Sequence, residues 1–422
     1  MTDQIVRNTE VGNLEAWRLQ RWDFDDFHRS ELPRRLRDGV SDQIAWDVAA
    51  APPFTIKLPD GRAYTYICEG GSVRVEPGVS ADAVVVLEIQ ERAWQDYVHE
   101  FRNLSSLVLA GSIRFERGGV PEWDAWAPAI RCMYSGKPIY NPSMSFADRA
   151  GQPLDLRGSF TLDDDHEELS HFLHTTGYLV VRGAMAHRLT ELSDEIDHLL
   201  ATAKEGNIFS WWVDNEQTGT RFPYRLLYMS EHSTLIRSLM DDDPTVAALV
   251  ALAKRDLVPL HDRGQGAMTV YKPFGRGAKL GASMAANLGW HRDCDLGGCP
   301  VMCPSINIGI HLDPAGPTGS QLWALAGSHD KVTHNPREIR LDDANVIPMD
   351  TQPGDVTIHY SCIMHAGPPP VGAGTRRTFY LPFYGPDTLR LLGRFEAFEQ
   401  VIPGYGTGNL PDFYDEAAKA RA

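Results

Sequence analysis

The sequence predicts an α+β protein of two domains, a small α+β unit followed by a larger domain that ends as a jelly roll or similar β-sandwich. Three observations predict it. The chain has 422 residues, more than one ordinary hydrophobic core serves. The stretch "FTIKLPDGRAYTYICEGGSVRVEP" alternates with the period of paired strands. After about residue 265 the pattern becomes short apolar runs cut by Gly and Pro.

Composition narrows the class. The chain is 43% hydrophobic and 23% charged, as soluble globular proteins are. Apolar runs such as "VAALVALA" fall far short of the roughly 20 residues that span a bilayer, so no membrane span is expected. "MTDQIVRNTEVGN" carries no apolar segment of the secretory kind. Six Cys in a chain of this length do not make a disulfide framework, and a reduced, cytoplasmic compartment is expected. The formal net charge of −16 argues against a nucleic-acid partner, which needs a basic footprint.

The elements follow in order. Asp60-Gly61 sits between two alternating runs, Phe54, Ile56, Leu58 and Ala63 to Ile67, and marks a hairpin; Gly70-Gly71 marks a second turn. "ADAVVVLEIQ" reads as a buried strand. "ERAWQDYVHEF" places Trp94, Tyr97, Val98 and Phe101 on one helical face. "LSSLVLAGSIRFERGG" returns through a helix to a strand. Residues 1–140 are therefore expected to form the first domain. Residues 141–159 belong to a stretch rich in Pro, Gly, Ser and Asp and read as the linker, and 160–422 as the second domain. There, acids crowd the start of a helix that Gly177 stops, "YLVV" is a strand, and Leu189, Leu192, Ile196 and Leu199 share a helix face.

The strand-to-helix step "ADAVVVLEIQERAWQDYV" with "LVLAGSIRFERGG" resembles the sterol carrier protein type-two-like domain, over roughly residues 45 to 135. The resemblance implies an apolar tunnel for a lipid or acyl chain, hence a small and lipophilic substrate. A domain that only packs, or that joins two copies into a homo-oligomer, is the alternative.

The chemistry concentrates in "NLGWHRDCDLGGCP". In a strand, residues i and i+2 point to one face, so His291 and Asp293 would present an imidazole and a carboxylate side by side while Arg292 points away. A first-row metal needs a third ligand from another strand. His311, His329, His334, His359 and His365 are the candidates. His365 is best placed, because it ends the strand "GDVTIHYSCIMH" before the breaker run "AGPPP". Downstream, "GTRRTFYLPF" carries Arg376, whose fork binds a carboxylate in bidentate fashion. Two His, one carboxylate and open positions make the facial triad of non-haem Fe(II) oxygenases, and the Arg suits the distal carboxylate of 2-oxoglutarate.

Four pieces in order, "GWHRD", "GSQLWALAGSH", "PGDVTIHYSCIMH" and "RRTFYLPF", together with the opening "TTGYLVVRGAM", resemble the phytanoyl-CoA dioxygenase family of Fe(II)/2-oxoglutarate oxygenases over roughly residues 160 to 390. The resemblance implies a double-stranded β-helix, the cupin-like form of the jelly roll. It implies His291, Asp293 and His365 as the iron ligands and catalytic centre, and Arg376 as the 2-oxoglutarate clamp. It also implies O2 as co-substrate, succinate and CO2 as products, and hydroxylation of a C–H bond of a small molecule. Asp293 keeps the carboxylate that related halogenases replace by Gly or Ala. The chain departs from the family pattern at Ala326, where Pro is usual, and in a Cys-rich loop after Asp293.

Other residues invite weaker roles. Lys272 and Lys279 lie just upstream, placed to meet a carboxylate of the co-substrate or substrate, or to stand in a solvated loop. Asn307 lies on the apparent strand "SINIGIHL", within reach of cofactor or substrate. His359 is expected beside the metal set rather than in it, and His329 in structural loop hydrogen bonds. Arg377 is the rival to Arg376 and points to the opposite face. Cys294, Cys299 and Cys303 meet no standard zinc or iron–sulfur spacing and read as thiols of a substrate-facing loop. Trp211, Trp212, Phe222 and Tyr224 form a lid or part of the core. A non-catalytic lipid-binding or scaffold protein with a degenerate jelly roll is the rival function, and an intact triad with its Arg argues against it.

Overall fold

The computed structural model describes residues 21–37, 44, 47–99, 107–108, 111–215, 218–274, 289–293, 305–333, 339–367 and 374–386. The thiols of Cys294, Cys299 and Cys303, and also Lys279 and His334, lie outside the described residues.

The first unit is a five-stranded sheet of β1 (Phe54–Lys57), β2 (Ala63–Glu69), β3 (Ser72–Pro77), β4 (Val85–Ile89) and β5 (Ile113–Arg117), in the order β3-β2-β1-β4-β5. Only the central pair β1–β4 is parallel. The predicted turns are where the sequence put them. Gly70 and Gly71 both take positive φ, 60° and 77°, which joins Glu69 to Ser72 across the mirror-image turn that matches strand twist. Phe54 and Ile56 face Tyr66 and Tyr64 across the first hairpin. With α1 (Glu91–Val98) and α2 (Ala127–Ser135) they close a core in which Trp94, Trp123 and Trp126 are fully buried. Short helical turns at Phe24–Asp26, Phe27–Glu31 and Leu32–Arg35 add Phe24 and Phe27 to that core, an element the sequence pattern did not announce.

The second unit opens with α3 (His166–Thr176), β6 (Tyr178–Val181) and α4 (Leu189–Thr202). The Asp165 side chain accepts from the Glu167 amide and caps α3, and Gly177 ends it at φ 89°. The strands β7 (Ser210–Asp214), β8 (Arg221–Leu226), β9 (Val258–Pro259), β10 (Met268–Phe274), β11 (Ser305–His311), β12 (Leu322–Leu325), β13 (Val346–Met349), β14 (Val356–Tyr360), β15 (His365–Ala366) and β16 (Gly374–Tyr384) form two sheets. The larger runs β6-β14-β11-β16-β10-β8-β7, with β9 on β16; the smaller is β13-β12-β15. Trp211 and Tyr224 are buried strand residues of β7 and β8, so this aromatic segment is part of the sheet.

Register decides what each face of the large sheet carries, because directly paired residues share a face. Ile306, Ile308 and Ile310 pair with Phe383, Leu381 and Phe379, and all join the core with Leu169, Phe172, Leu192 and Ile196 of the covering helices. The alternate residues are polar. Asn307 pairs with His359, His311 with Thr378, and Lys272 with Arg376, so these side chains share the other face.

The end of the stretch expected as the first domain and the start of the expected linker lie along the second unit, where Asn345 Nδ2 donates to Pro142 O and Met144 O. Tyr140 N–H donates to Val332 O (2.7 Å) and Val332 N–H to Pro138 O (2.9 Å). The Tyr140 ring is buried with Leu325, Val346 and Met364, while neighbouring Ile139 belongs to the first core. Among the described residues no helix is long and apolar enough to cross a membrane.

Candidate metal centre

His291, Asp293 and His365 come together: their candidate ligand atoms all lie within 4.8 Å of one another. Asp293 Oδ1 stands 3.7 Å from His291 Nε2 and 3.5 Å from His365 Nε2. The strand expected over 291–293 is not there. His291 makes an isolated bridge to His365, with reciprocal N–H···O bonds of 2.9 Å, and Asp293 N–H donates to Ser361 O at 3.1 Å. The chain is thus pinned across the mouth between the two sheets instead of continuing a ladder. Arg292 does point away, its guanidinium donating to the Ser328 and Lys331 carbonyls.

"GDVTIHYSCIMH" is likewise two strands, not one. β14 ends at Tyr360, the chain turns with Ile363 N–H donating to Tyr360 O, and His365 belongs to the small sheet. His359 and His365 therefore approach from different sheets, ring centroids 4.8 Å apart. His359 Nε2 lies 3.7 Å from Asp293 Oδ2, beside the donor set.

Second contacts fix the tautomers. His291 Nδ1 faces Gly289 O at 2.7 Å and His365 Nδ1 faces Ile363 O at 3.0 Å. A carbonyl only accepts, so each Nδ1 carries the proton and each Nε2 presents a lone pair to the centre. Burial, then the neighbouring His291, pushes His365 down to about 3, and burial also lowers His291. Both rings are neutral near pH 7, as a metal ligand must be. Burial alone would raise Asp293; the charge interactions with His365 and His359 outweigh it, so the carboxyl is held below its ordinary range. Asn307 Nδ2 donates to Asp293 Oδ2 at 2.6 Å. The Asn307 amide, expected toward cofactor or substrate, is spent on orienting the carboxylate.

On the same face, Arg376 is 2% exposed, yet its hydrogen bonds go to neutral oxygens: Ser320 O (2.5 Å), Tyr380 Oη (3.2 Å) and Thr378 Oγ1 (3.4 Å). Lys272 is buried on β10, not in a solvated loop, and donates to Ser320 Oγ at 3.0 Å. Burial first, then the charges of Arg376 and Arg225, hold its ammonium well below the usual lysine range. A buried cation without a counter-ion is costly, and a carboxylate would supply one. Arg377 is the opposite case. It points out of the cleft and is satisfied by Asp313, through three bonds of 2.8–3.1 Å, and by Asp197 and Ser193 at 2.8 Å.

The remaining candidates are structural. His311 is buried between Thr357 and Thr351 hydroxyls, at 3.1 and 3.0 Å. His329 bonds His174 O at 3.1 Å and stacks on Tyr360. Sequence reasoning missed Ser320, held at φ 62° where its carbonyl and hydroxyl meet both cations, and Tyr380, four residues beyond Arg376 on the same face. Even spacing along β16 was the available signal for Tyr380; Ser320 had none.

Two His nitrogens and a carboxylate oxygen on one side, with a buried Arg–Lys pair on the same sheet face that meets no acid among the described residues, fit iron with a bidentate keto acid better than a closed structural metal site. Residues 173–378 match the family model "Phytanoyl-CoA dioxygenase (PhyH)", a span that contains all four motif residues His291, Asp293, His365 and Arg376. No curated protein matches the chain. Among solved structures it is similar to EctD from S. alaskensis with 2-oxoglutarate and 5-hydroxyectoine, at 17% identity, 60% of this chain, 87% of that one and a TM-score of 0.43. It is also similar to SnoN, a non-haem α-ketoglutarate-dependent epimerase from nogalamycin biosynthesis, at 18% identity, 52% of this chain, 80% of that one and a TM-score of 0.40. Over the segment that carries the site the chain is similar to the phytanoyl-CoA dioxygenases, and the family match with the His–Asp–His set supports an iron- and 2-oxoglutarate-dependent oxygenase.

Proposed function

We propose that the protein is a non-haem Fe(II)- and 2-oxoglutarate-dependent dioxygenase that hydroxylates an unactivated C–H bond of a small, lipophilic molecule and releases succinate and CO2. The observation that carries the reading is the pairing of the open donor set with Arg376, a buried guanidinium whose bonds among the described residues go to neutral oxygens. His291, Asp293 and His365 would hold the iron, which when bound supplies the oxygen-activating chemistry.

The chain's own residues do the rest. Asn307 orients Asp293. The Gly289 and Ile363 carbonyls keep both imidazole lone pairs turned inward. Arg376, with Lys272 beside it, receives the far carboxylate of the keto acid, and Ser320 holds both cations in place until then. The burial of these groups excludes water from the place where the keto acid reacts. For the first unit we propose a sterol-carrier-like module that gathers the lipophilic substrate. That reading rests on the strand–helix–strand step of β4, α1 and β5.

The test is direct. Protein loaded anaerobically with Fe(II) and then given 2-oxoglutarate and O2 should form succinate slowly even without a primary substrate. His365→Ala and Asp293→Ala should lose iron and succinate together, since removing one of three protein ligands destroys the chelate. Full iron loading without any succinate would sink the reading.

A further inference from the structure

Arg225 is a third buried cation in the same cleft, and the proposed function leaves it without a task. It sits on β8 opposite Val270, and Val270 is two residues from Lys272 on β10. Paired residues, and residues two apart on one strand, share a face. Arg225 therefore lies on the face that carries Lys272, Arg376, Asn307 and His359. It is 5% exposed. Nη1 donates to Gln265 Oε1 at 3.0 Å and to the weak acceptor Met268 Sδ at 3.7 Å, and the guanidinium lies 5.5 Å over the Trp211 ring. Its Nε–H finds no acceptor among the described residues. An amide oxygen, a thioether and an indole face position a guanidinium without neutralising it. Its charge reaches both Lys272 and His291, in keeping with its place on the face they border.

Charge arithmetic then assigns the partner. With iron bound, Asp293 and the two carboxylates of the keto acid bring three negative charges to five positive ones, two on the metal and one each on Arg376, Lys272 and Arg225. Burial disfavours the Lys272 ammonium, which can shed its proton, whereas a guanidinium cannot; the surplus rests on Arg225, which meets no acid among the described residues. A fork with a free Nε–H matches a carboxylate in the two-bond side-on geometry. We infer that Arg225 is a specificity-determining residue that binds a carboxylate of the primary substrate, so that the molecule oxidised is an organic acid oriented by this second anion site. The inference rests on the proposed function and narrows its substrate class to a lipophilic body bearing a carboxylate.

The experiment uses the full chain loaded with Mn(II) in place of iron and saturated with 2-oxoglutarate. Acetate is the probe, titrated calorimetrically at constant ionic strength against chloride. The wild type should bind acetate saturably. Arg225→Gln should weaken acetate at least tenfold while its affinity for 2-oxoglutarate stays within threefold. Arg225→Lys, which keeps the charge and loses the fork, should fall between the two, and it guards against a folding defect in the first variant. Non-saturable acetate binding by the wild type, or equal binding by Arg225→Gln, overturns the inference. A tenfold loss of 2-oxoglutarate affinity in Arg225→Gln also overturns it, because Arg225 would then serve the co-substrate. Failure of the metal-loaded wild type to bind 2-oxoglutarate at all is a different result: it removes the proposed function, and this inference with it.

Discussion

Arg376 and Arg377 are adjacent in sequence and opposite in physics. Among the described residues, one faces the cleft with no acid to meet, and the other faces the helices and holds Asp313 and Asp197. Truncating one partner of a buried charge pair costs roughly 2–5 kcal/mol, and each tenfold in affinity is about 1.4 kcal/mol. Arg376→Ala should therefore weaken 2-oxoglutarate binding about thirtyfold or more, read by calorimetry, with little change in thermal stability. Arg377→Ala should do the reverse: 2-oxoglutarate affinity holds, and the fold loses about 2–3 kcal/mol as Asp313 loses its fork. If Arg377→Ala shows the larger loss of affinity, the assignment of the two faces is wrong. Both residues were legible in the sequence because a strand alternates. Asn307 was legible as a cleft residue, but not its partner, since nothing in a one-dimensional pattern places it beside Asp293.

At the scale of elements, the sequence read helices and hairpins well and read strand ends poorly. The hairpins at Asp60-Gly61 and Gly70-Gly71, the stop at Gly177 and the strand at "YLVV" are local events, decided by turn chemistry and periodicity. The break after Tyr360 is not local. "HYSCIMH" contains no Gly or Pro, and the chain changes sheet there because Ser361 N–H bonds Ser305 O and His365 pairs with His291. Gly177 shows how an element boundary also serves packing. Its φ of 89° disfavours a side chain, and an added Cβ would lie 2.6 Å from His329 Nδ1 and 3.0 Å from Ile363 Cδ1. Its carbonyl accepts from Tyr360 N–H at 3.0 Å, at the end of β14. Gly177→Ala should cost about 1–3 kcal/mol, and the strain falls on the turn that leads to His365. A thermal melt of the variant within one degree of wild type would show that this turn yields freely.

For the whole molecule, two domains were expected from length; among the described residues one large cluster packs around Trp94, Trp123 and Trp126 and another beneath the large sheet. The join between them was not legible. Its Pro, Gly, Ser and Asp content is that of a tether, but composition does not report that Ile139 and Tyr140, just before it, are claimed by different clusters, the first unit's core and a small one around Leu325, Val346 and Met364. A fragment of residues 137–422 should therefore fold and bind metal, because it keeps Tyr140 and the pairing with Val332. A fragment of 160–422 should be less stable by roughly 3–5 kcal/mol, the range for emptying a buried aromatic site. Denaturant melts of the two fragments decide it, and equal midpoints would return the segment to the status of a tether. The reciprocal backbone bonds between His291 and His365 bear on this larger scale too. They tie together two stretches of chain far apart in sequence through backbone atoms, not through side chains. The entropy of bringing those stretches together is thus offset in part by the polypeptide's own hydrogen bonds, and the side chains that would hold a metal are left with ligation alone.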